Sequence, residues 1–198
     1  MLRSRSYRAL LLAAAALILC LGGNPQASAP RSTITIHVRK SGFFSAFAHD
    51  HVITAPIAQG TLDPKAMTVQ ITVATKQMKV ADPDVSGKDR AEIQSTMLSP
   101  KVLDPEKYPE IRFTSSRIER TSPEHYRVTG KLDLHGATHE LSFPVTGGPD
   151  QYQGKTKLKQ TDFGIKPVSI AGGSVKVKDE VEIDFDVLAA DLAPGKRR

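Results

Sequence analysis

The chain has 198 residues and a formal charge of +6 at neutral pH, but that excess is confined to its ends. Arg3, Arg5 and Arg8 lie in the leading segment and Lys196, Arg197 and Arg198 close the chain, so residues 30–195 are formally neutral, which argues against a basic nucleic-acid-binding face. The only cysteine, Cys20, also falls in the leading segment, which excludes disulfides, thiolate nucleophiles and cysteine-ligated metals from the body.

Residues 1–29 read as a secretory signal peptide: the three arginines form a basic n-region, followed by an unbroken apolar run from Ala9 to Leu21. That run is short for a membrane span, which takes about 20 apolar residues. Cleavage after Ala29 fits the small-x-small pattern of Ala27 and Ala29, although Pro30 is an unfavourable residue just after a cut. Lipidation at Cys20 and an uncleaved anchor are the alternatives, and the bulky Leu19 speaks against the first. The expected location is therefore periplasmic or secreted. The remaining 30–195 suffice for one domain with a core of its own, and 196–198 read as a short basic, solvated tail.

The body opens with STITIHVRK, in which Ile34, Ile36 and Val38 alternate with Thr33, Thr35 and His37, the period of a strand with one buried face. Phe43, Phe44 and Phe47 follow in SGFFSAFAHDHVITAP, which reads as a helical turn or a wide loop leading into a strand. IAQGTLD and MTVQITVATKQMKV read as two strands, the second with Val69, Ile71 and Val73 inward. VADPDVSGKD has the Asp, Pro and Gly of a loop. Asp89 or Ser86 is placed to cap a short helix over 89–98, with Ile93, Met97 and Leu98 on its apolar edge.

Three alternating runs, IRFTSSRIE, YRVTGKLDL and HELSFPV, come next, joined by turns around 121–124 and 135–138 that are too short for the crossover parallel strands require. Ile111 and Phe113 share a face of the first, Tyr126, Val128, Leu132 and Leu134 of the second, and Leu141, Phe143 and Val145 of the third. GGPDQYQG reads as a turn, KTKLKQTDFGI as a lysine-bearing strand and Gly172–Gly173 as a hairpin turn. In VKVKDEVEIDFDVLAAD, Val181, Ile183, Phe185 and Val187 point inward and Glu182, Asp184 and Asp186 outward. The total is eight or nine antiparallel strands and one short helix. The class is all-β, and closing such a sheet into a barrel removes its edges.

The pieces LDPEKYPEIRFTSSRIE, YRVTGKLDLHGATHELSFPVTG and TDFGI, in this order and spacing, resemble the YceI-like family of periplasmic lipid-binding proteins, over roughly Met67 to Ala190. That resemblance implies an antiparallel, eight-stranded, lipocalin-like β-barrel whose apolar interior holds the chain of a polyisoprenoid. HDH, at 49–51, departs from the usual family pattern.

Directed chemistry is hard to find. There is no G-x-S-x-G nucleophile elbow, no P-loop and no G-x-G-x-x-G. Glu182, Asp184 and Asp186 stand at alternate positions and form the wet face of the last strand rather than an acid/base pair. In an extended chain His49 and His51 share a face with Asp50 between them, which makes them candidate metal ligands, with His37, His135 and His139 as further histidines near a barrel mouth or turn. HDH lacks a defined ligand spacing, so no metal and no cofactor are assigned. The phenylalanines 43, 44 and 47 either plug one end of the barrel or form an apolar lip through which a lipid enters.

The protein is therefore expected to be a non-enzymatic carrier of an amphiphilic lipid, in the first instance a polyisoprenoid. Phe43, Phe44 and Phe47 make the lip, and Ile71, Val73, Phe113, Val128, Leu132, Leu141, Phe143, Ile183 and Phe185 the interior. A small lipid is the expected partner, nucleic acid is not, membrane contact is transient at most, and a homodimer is left open. The alternatives are a metal-dependent protein or enzyme using the His49–Asp50–His51 cluster, and a packed barrel without a stable ligand.

Overall fold

The structure, a computed structural model, describes residues 32–41, 50–170 and 175–194. The signal segment 1–29, Phe43, Phe44, Phe47, His49, the Gly172–Gly173 turn and the basic tail 196–198 lie outside the described residues. In chain order the elements are β1 (Thr33–Ser41), β2 (His51–Asp63), β3 (Thr68–Ala74), β4 (Lys79–Val80), α1 (Gly87–Met97), β5 (Glu110–Ser122), β6 (His125–Leu134), β7 (Ala137–Gly147), β8 (Gln151–Lys159), β9 (Ser169–Ile170), β10 (Val175–Leu188) and β11 (Ala193–Pro194).

Eight of these strands form a closed antiparallel barrel. The order β1-β10-β8-β7-β6-β5-β3-β2 returns to its start because β1 pairs with β2 as well as with β10. Ile36 marks the closure, facing Ile183 on β10 and Ile53 on β2. Three short strands are added at the margins: β4 on β2, β9 on β10, and β11, which runs parallel to β2 through Ala193↔Thr61. At about 3.3 Å per residue and a tilt near 40°, the ten residues of β6 give a barrel roughly 25 Å tall.

The central meander has the alternation its sequence carries: Val128, Leu132 and Leu134 are buried on β6, and Phe143 and Val145 on β7. Other segments depart from the periodicity. The pairing of β5 with β6 shifts between Ser115 and Arg117 and again between Arg120 and Ser122. The first of these bulges reverses the parity, so Ile118, five residues after Phe113, faces the same interior. β2 starts at His51, earlier than IAQGTLD suggests, and shifts register between Ile57 and Gln59.

MTVQITVATKQMKV is not one strand. It breaks into a 3-10 turn at Thr75–Gln77, after which Lys79 and Val80 pair with β2. Thr75, 1% exposed, holds the break: its N–H donates to the Pro109 carbonyl (2.9 Å) and its hydroxyl to the Tyr108 carbonyl (2.8 Å). GGPDQYQG is likewise part strand, since β8 begins at Gln151. The lysine-bearing strand ends at Lys159, in a 3-10 turn closed by Gly164 at φ 72°, a left-handed conformation that glycine adopts without steric cost.

The helix runs from Gly87 to Met97, two residues earlier at its start than 89–98, because Ser86 is the N-cap. Its hydroxyl accepts from the Asp89 N–H (3.1 Å), which satisfies one orphan backbone donor of the first turn, and donates to the Asp89 carboxylate (2.8 Å). α1 is also more than an appendage. Gln94 docks it to β4, accepting from the Val80 N–H (2.8 Å) and donating to the Met78 carbonyl (2.9 Å). Met97 then joins Met78, Leu103, Phe163 and Ile165 in a packed cluster at that end of the barrel.

Candidate functional site

The barrel encloses a cavity of about 650 Å³ with an almost wholly apolar wall, within the range of small-molecule sites. All eight barrel strands contribute to the wall. Among the interior residues expected from the sequence, Ile71, Val73, Phe113, Val128 and Leu132 line it, as do Leu141, Phe143, Ile183 and Phe185. Their burial differs, and the difference locates the open space. Val73, Val128, Leu132 and Phe143 are buried, whereas Ile71, Phe113, Leu141, Ile183 and Phe185 are half-buried although they point inward. The isoleucines 34, 36 and 111 behave in the same way.

Three phenylalanines cross the wall as a belt. Phe143 lies 5.4 Å from Phe113 and 5.5 Å from Phe185, centroid to centroid, the second contact edge-to-face, a geometry that adds to plain area burial. The belt depends on glycines. A Cβ on Gly130 would stand 2.5 Å from the Phe113 ring tip, and one on Gly154 would stand 2.3 Å from the Phe185 ring tip, so each ring lies down against a bare stretch of backbone. Towards the β11 end, Tyr126 and Tyr152 meet edge-on at 6.2 Å. Burial, and then the neighbouring Tyr126, raise the Tyr152 phenol above its ordinary value.

At the opposite end, the one α1 covers, His51, Asp89, Glu92 and Thr96 join the lining. His51 is fixed from behind by Asp82, whose side chain is 3% exposed. One Asp82 oxygen accepts from His51 Nδ1 (2.8 Å) and the other from the Val52 N–H (2.6 Å). Because a carboxylate oxygen accepts, Nδ1 carries a proton, and in the neutral ring Nε2 is left with a lone pair. Nothing in the sequence marks Asp82 for this part: it sits in a stretch with turn composition, and 31 residues separate it from its partner.

The remaining histidines have other surroundings. His37 is on the outer face, 3.5 Å from Asp184. His135 packs against Tyr108 at 4.3 Å with the rings tilted by 50°, and His139 meets Phe163 at 4.9 Å. Among the described residues no group of three or more His, Cys, Asp or Glu side chains is placed to hold a metal ion.

Glu182, Asp184 and Asp186 lie outside the barrel, opposite β8 and β1. Lys155 reaches Asp184 (3.0 Å), Lys157 reaches Glu180 (2.9 Å), and Arg39 reaches Glu182 (3.5 Å) and Asp50 (3.3 Å). The Lys155 hydrogen bond holds the Asp184 carboxyl below the usual range, and the Lys40 N–H does the same for Asp50. This is a solvated cross-strand charge ladder with no approach to the cavity.

The family model for the YceI-like domain matches residues 26–189. A UPF0312 protein of Pseudomonas putida is 36% identical over 88 residues, covering 39% of this chain and 46% of that protein. One of Pseudomonas savastanoi pv. phaseolicola is 34% identical over the same shares. The chain thus matches about half the length of these curated relatives. Among solved structures, Burkholderia cenocepacia BcnA superimposes with a TM-score of 0.56 at 20% identity, over 80% of this chain and 96% of that one. A Campylobacter jejuni YCEI protein gives 0.51 at 16%, over 73% and 82%. At such identities the likeness concerns the fold, and the fold is the same barrel. With the family match running from before β1 to the end of β10, the chain belongs to the YceI-like family, which is built on a binding-protein barrel.

Proposed function

We propose that this protein is an exported carrier that holds the chain of an amphiphilic lipid, in the first instance a polyisoprenoid, in its barrel cavity. The observation that supports the reading is the cavity itself: about 650 Å³, with the wall supplied by aliphatic and aromatic side chains of every barrel strand. A space in a barrel about 25 Å tall suits a chain better than a compact ligand. At ~0.8 kcal/mol per CH₂-sized group, burying one C5 unit contributes on the order of 3–4 kcal/mol. Ordering a flexible chain offsets part of that, yet two or three units outweigh any single hydrogen bond. Export rests on the basic n-region and apolar run of residues 3–21. Neither a metal, a cofactor nor a chemical step belongs to this reading, and contact with a membrane is needed only while lipid is loaded or released.

Native mass spectrometry of protein purified without detergent, followed by organic extraction, tests it. The expected result is an adduct that disappears on extraction and is recovered as a long-chain lipid. Protein that carries no adduct and takes up no added farnesol would overturn the proposal.

A further inference from the structure

The cavity wall is one-sided in its polar chemistry. Its charged members among the described residues are Asp63, Asp89 and Glu92, and no lysine or arginine lines it. Of the cations near the α1 end, Lys88, Lys101, Lys107 and Lys166 are exposed and outside the lining, and Arg90 gives Nη2 to the Val85 carbonyl (2.9 Å). Segments 42–49 and 171–174, which connect β1 to β2 and β9 to β10, contain no lysine or arginine in their sequence. A phosphate or carboxylate taken into this end would lie among like charges, with no cavity-lining cation among the described residues to pair it, a costly arrangement.

Within that acidic rim stands one directed group. His51 lines the cavity, its Nδ1 is committed to the buried Asp82, and no described residue hydrogen-bonds to its Nε2. An imidazole oriented through one nitrogen by a buried carboxylate offers the other in a fixed direction and, when neutral, as a fixed tautomer. With the neutral ring's proton on Nδ1, Nε2 accepts, and the complementary ligand group is a donor.

We propose that the α1 end of the cavity is a head-group subsite for an uncharged, hydroxyl-bearing amphiphile, with His51 Nε2 accepting from the hydroxyl while Asp89 and Glu92 turn anionic heads away. The subsite rests on the carrier reading and refines it: the chain supplies the affinity, and His51 selects the head. It also gives His51 of the His-Asp-His run a part of its own, oriented by Asp82.

Three probes sharing one C15 chain separate the terms: farnesol, which donates, farnesyl methyl ether, which only accepts, and farnesyl phosphate, which is anionic. Calorimetric titration of the full-length protein should show farnesol binding about tenfold tighter than the ether and at least about tenfold tighter than the phosphate. In Asp82→Asn the amide donates to Nδ1, the proton moves to Nε2, and the preference for alcohol over ether should vanish while the ether keeps or gains affinity. His51→Phe should also abolish that preference. If its folding is impaired, Asp82→Asn, which retains an acceptor for the Val52 N–H, still decides. Asp89→Asn with Glu92→Gln should raise phosphate affinity and leave farnesol unchanged. Equal binding of all three probes to the wild type, or tighter binding of the phosphate, would overturn the subsite and leave the carrier standing. Failure of all three to bind would remove the carrier reading and the subsite with it.

Discussion

Adding the same bulk at two interior positions asks whether the barrel is a container or a solid core. Ile183 on β10 is half-buried and lines the cavity, whereas Val128 on β6 is 5% exposed and packs with Phe143 and Val145. Ile183→Phe adds three carbon atoms facing open space. It should leave the unfolding free energy within about 1 kcal/mol of the wild type, because no neighbour has to move. Those carbons take the place of three CH₂-sized groups of ligand, and at ~0.8 kcal/mol each the cost is ~2.4 kcal/mol, or about 50-fold in affinity. Val128→Phe pushes four carbons into a filled site and should cost ~1–3 kcal/mol of stability. Urea denaturation and titration with farnesol, run on both variants, give the two columns of the comparison. If Ile183→Phe lost as much stability as Val128→Phe and bound farnesol as the wild type does, the interior would be filled by its own side chains and the container argument would be wrong.

Asp82→Ala leaves the Val52 N–H without its acceptor and frees the His51 ring, and should cost ~1–3 kcal/mol by urea denaturation; an unchanged midpoint would mean that water replaces the carboxylate at no cost. Gly154→Ala places a methyl 2.3 Å from the Phe185 ring tip and 2.6 Å from the Pro144 carbonyl. Because the carbonyl cannot swing away as a side chain can, the variant should lose ~1–3 kcal/mol, together with farnesol affinity as the ring is driven into the lumen. Asp50, Asp179 and Asp184 have folded-state carboxyls held below their ordinary values by, in turn, the Lys40 N–H, the Thr161 hydroxyl and Lys155. A depressed carboxyl stabilises the fold above its unfolded value and ceases to as pH falls through the folded one, so these groups predict a denaturation midpoint that declines below about pH 4. Asp179→Asn should flatten that decline, and a steeper one would refute the assignment.

The β6–β7 hairpin is legible in the sequence because Val128, Leu132, Leu141 and Phe143 keep strict alternation, and because a tight turn at His135–Gly136 admits one connection only. The second half of β5 is not legible, since an inserted residue costs the sequence nothing visible yet moves Ile118 to the parity that alternation assigns to solvent. The break at Thr75 is hidden for a similar reason. Threonine favours strands, and what stops the strand here is a pair of hydrogen bonds to a segment more than 30 residues away. At the site, the apolar wall follows from parity alone, and nine interior positions could be named in advance. The His51–Asp82 pair could not: a carboxylate between Ala81 and Pro83 reads as a turn until tertiary pairing buries it.

An eight-stranded barrel has room either for its own side chains or for one slender ligand, and two features of this chain favour the second. The first is where its largest side chains go. Phe113 and Phe185 lie flat over Gly130 and Gly154 on neighbouring strands, so aromatic area is added to the wall without bridging the lumen. The second is the type of residue facing the space. Ile34, Ile36, Ile71, Ile111 and Ile183 are β-branched, and branching restricts χ1, so these side chains cannot stretch across a gap as methionine does. The flexible Met78 and Met97 reach the cavity only from its α1 end, where they are buried among Leu103 and Ile165. Stiff residues around most of the lumen help the wall keep its shape, and on the carrier reading such a wall spares an incoming chain the cost of reorganising it.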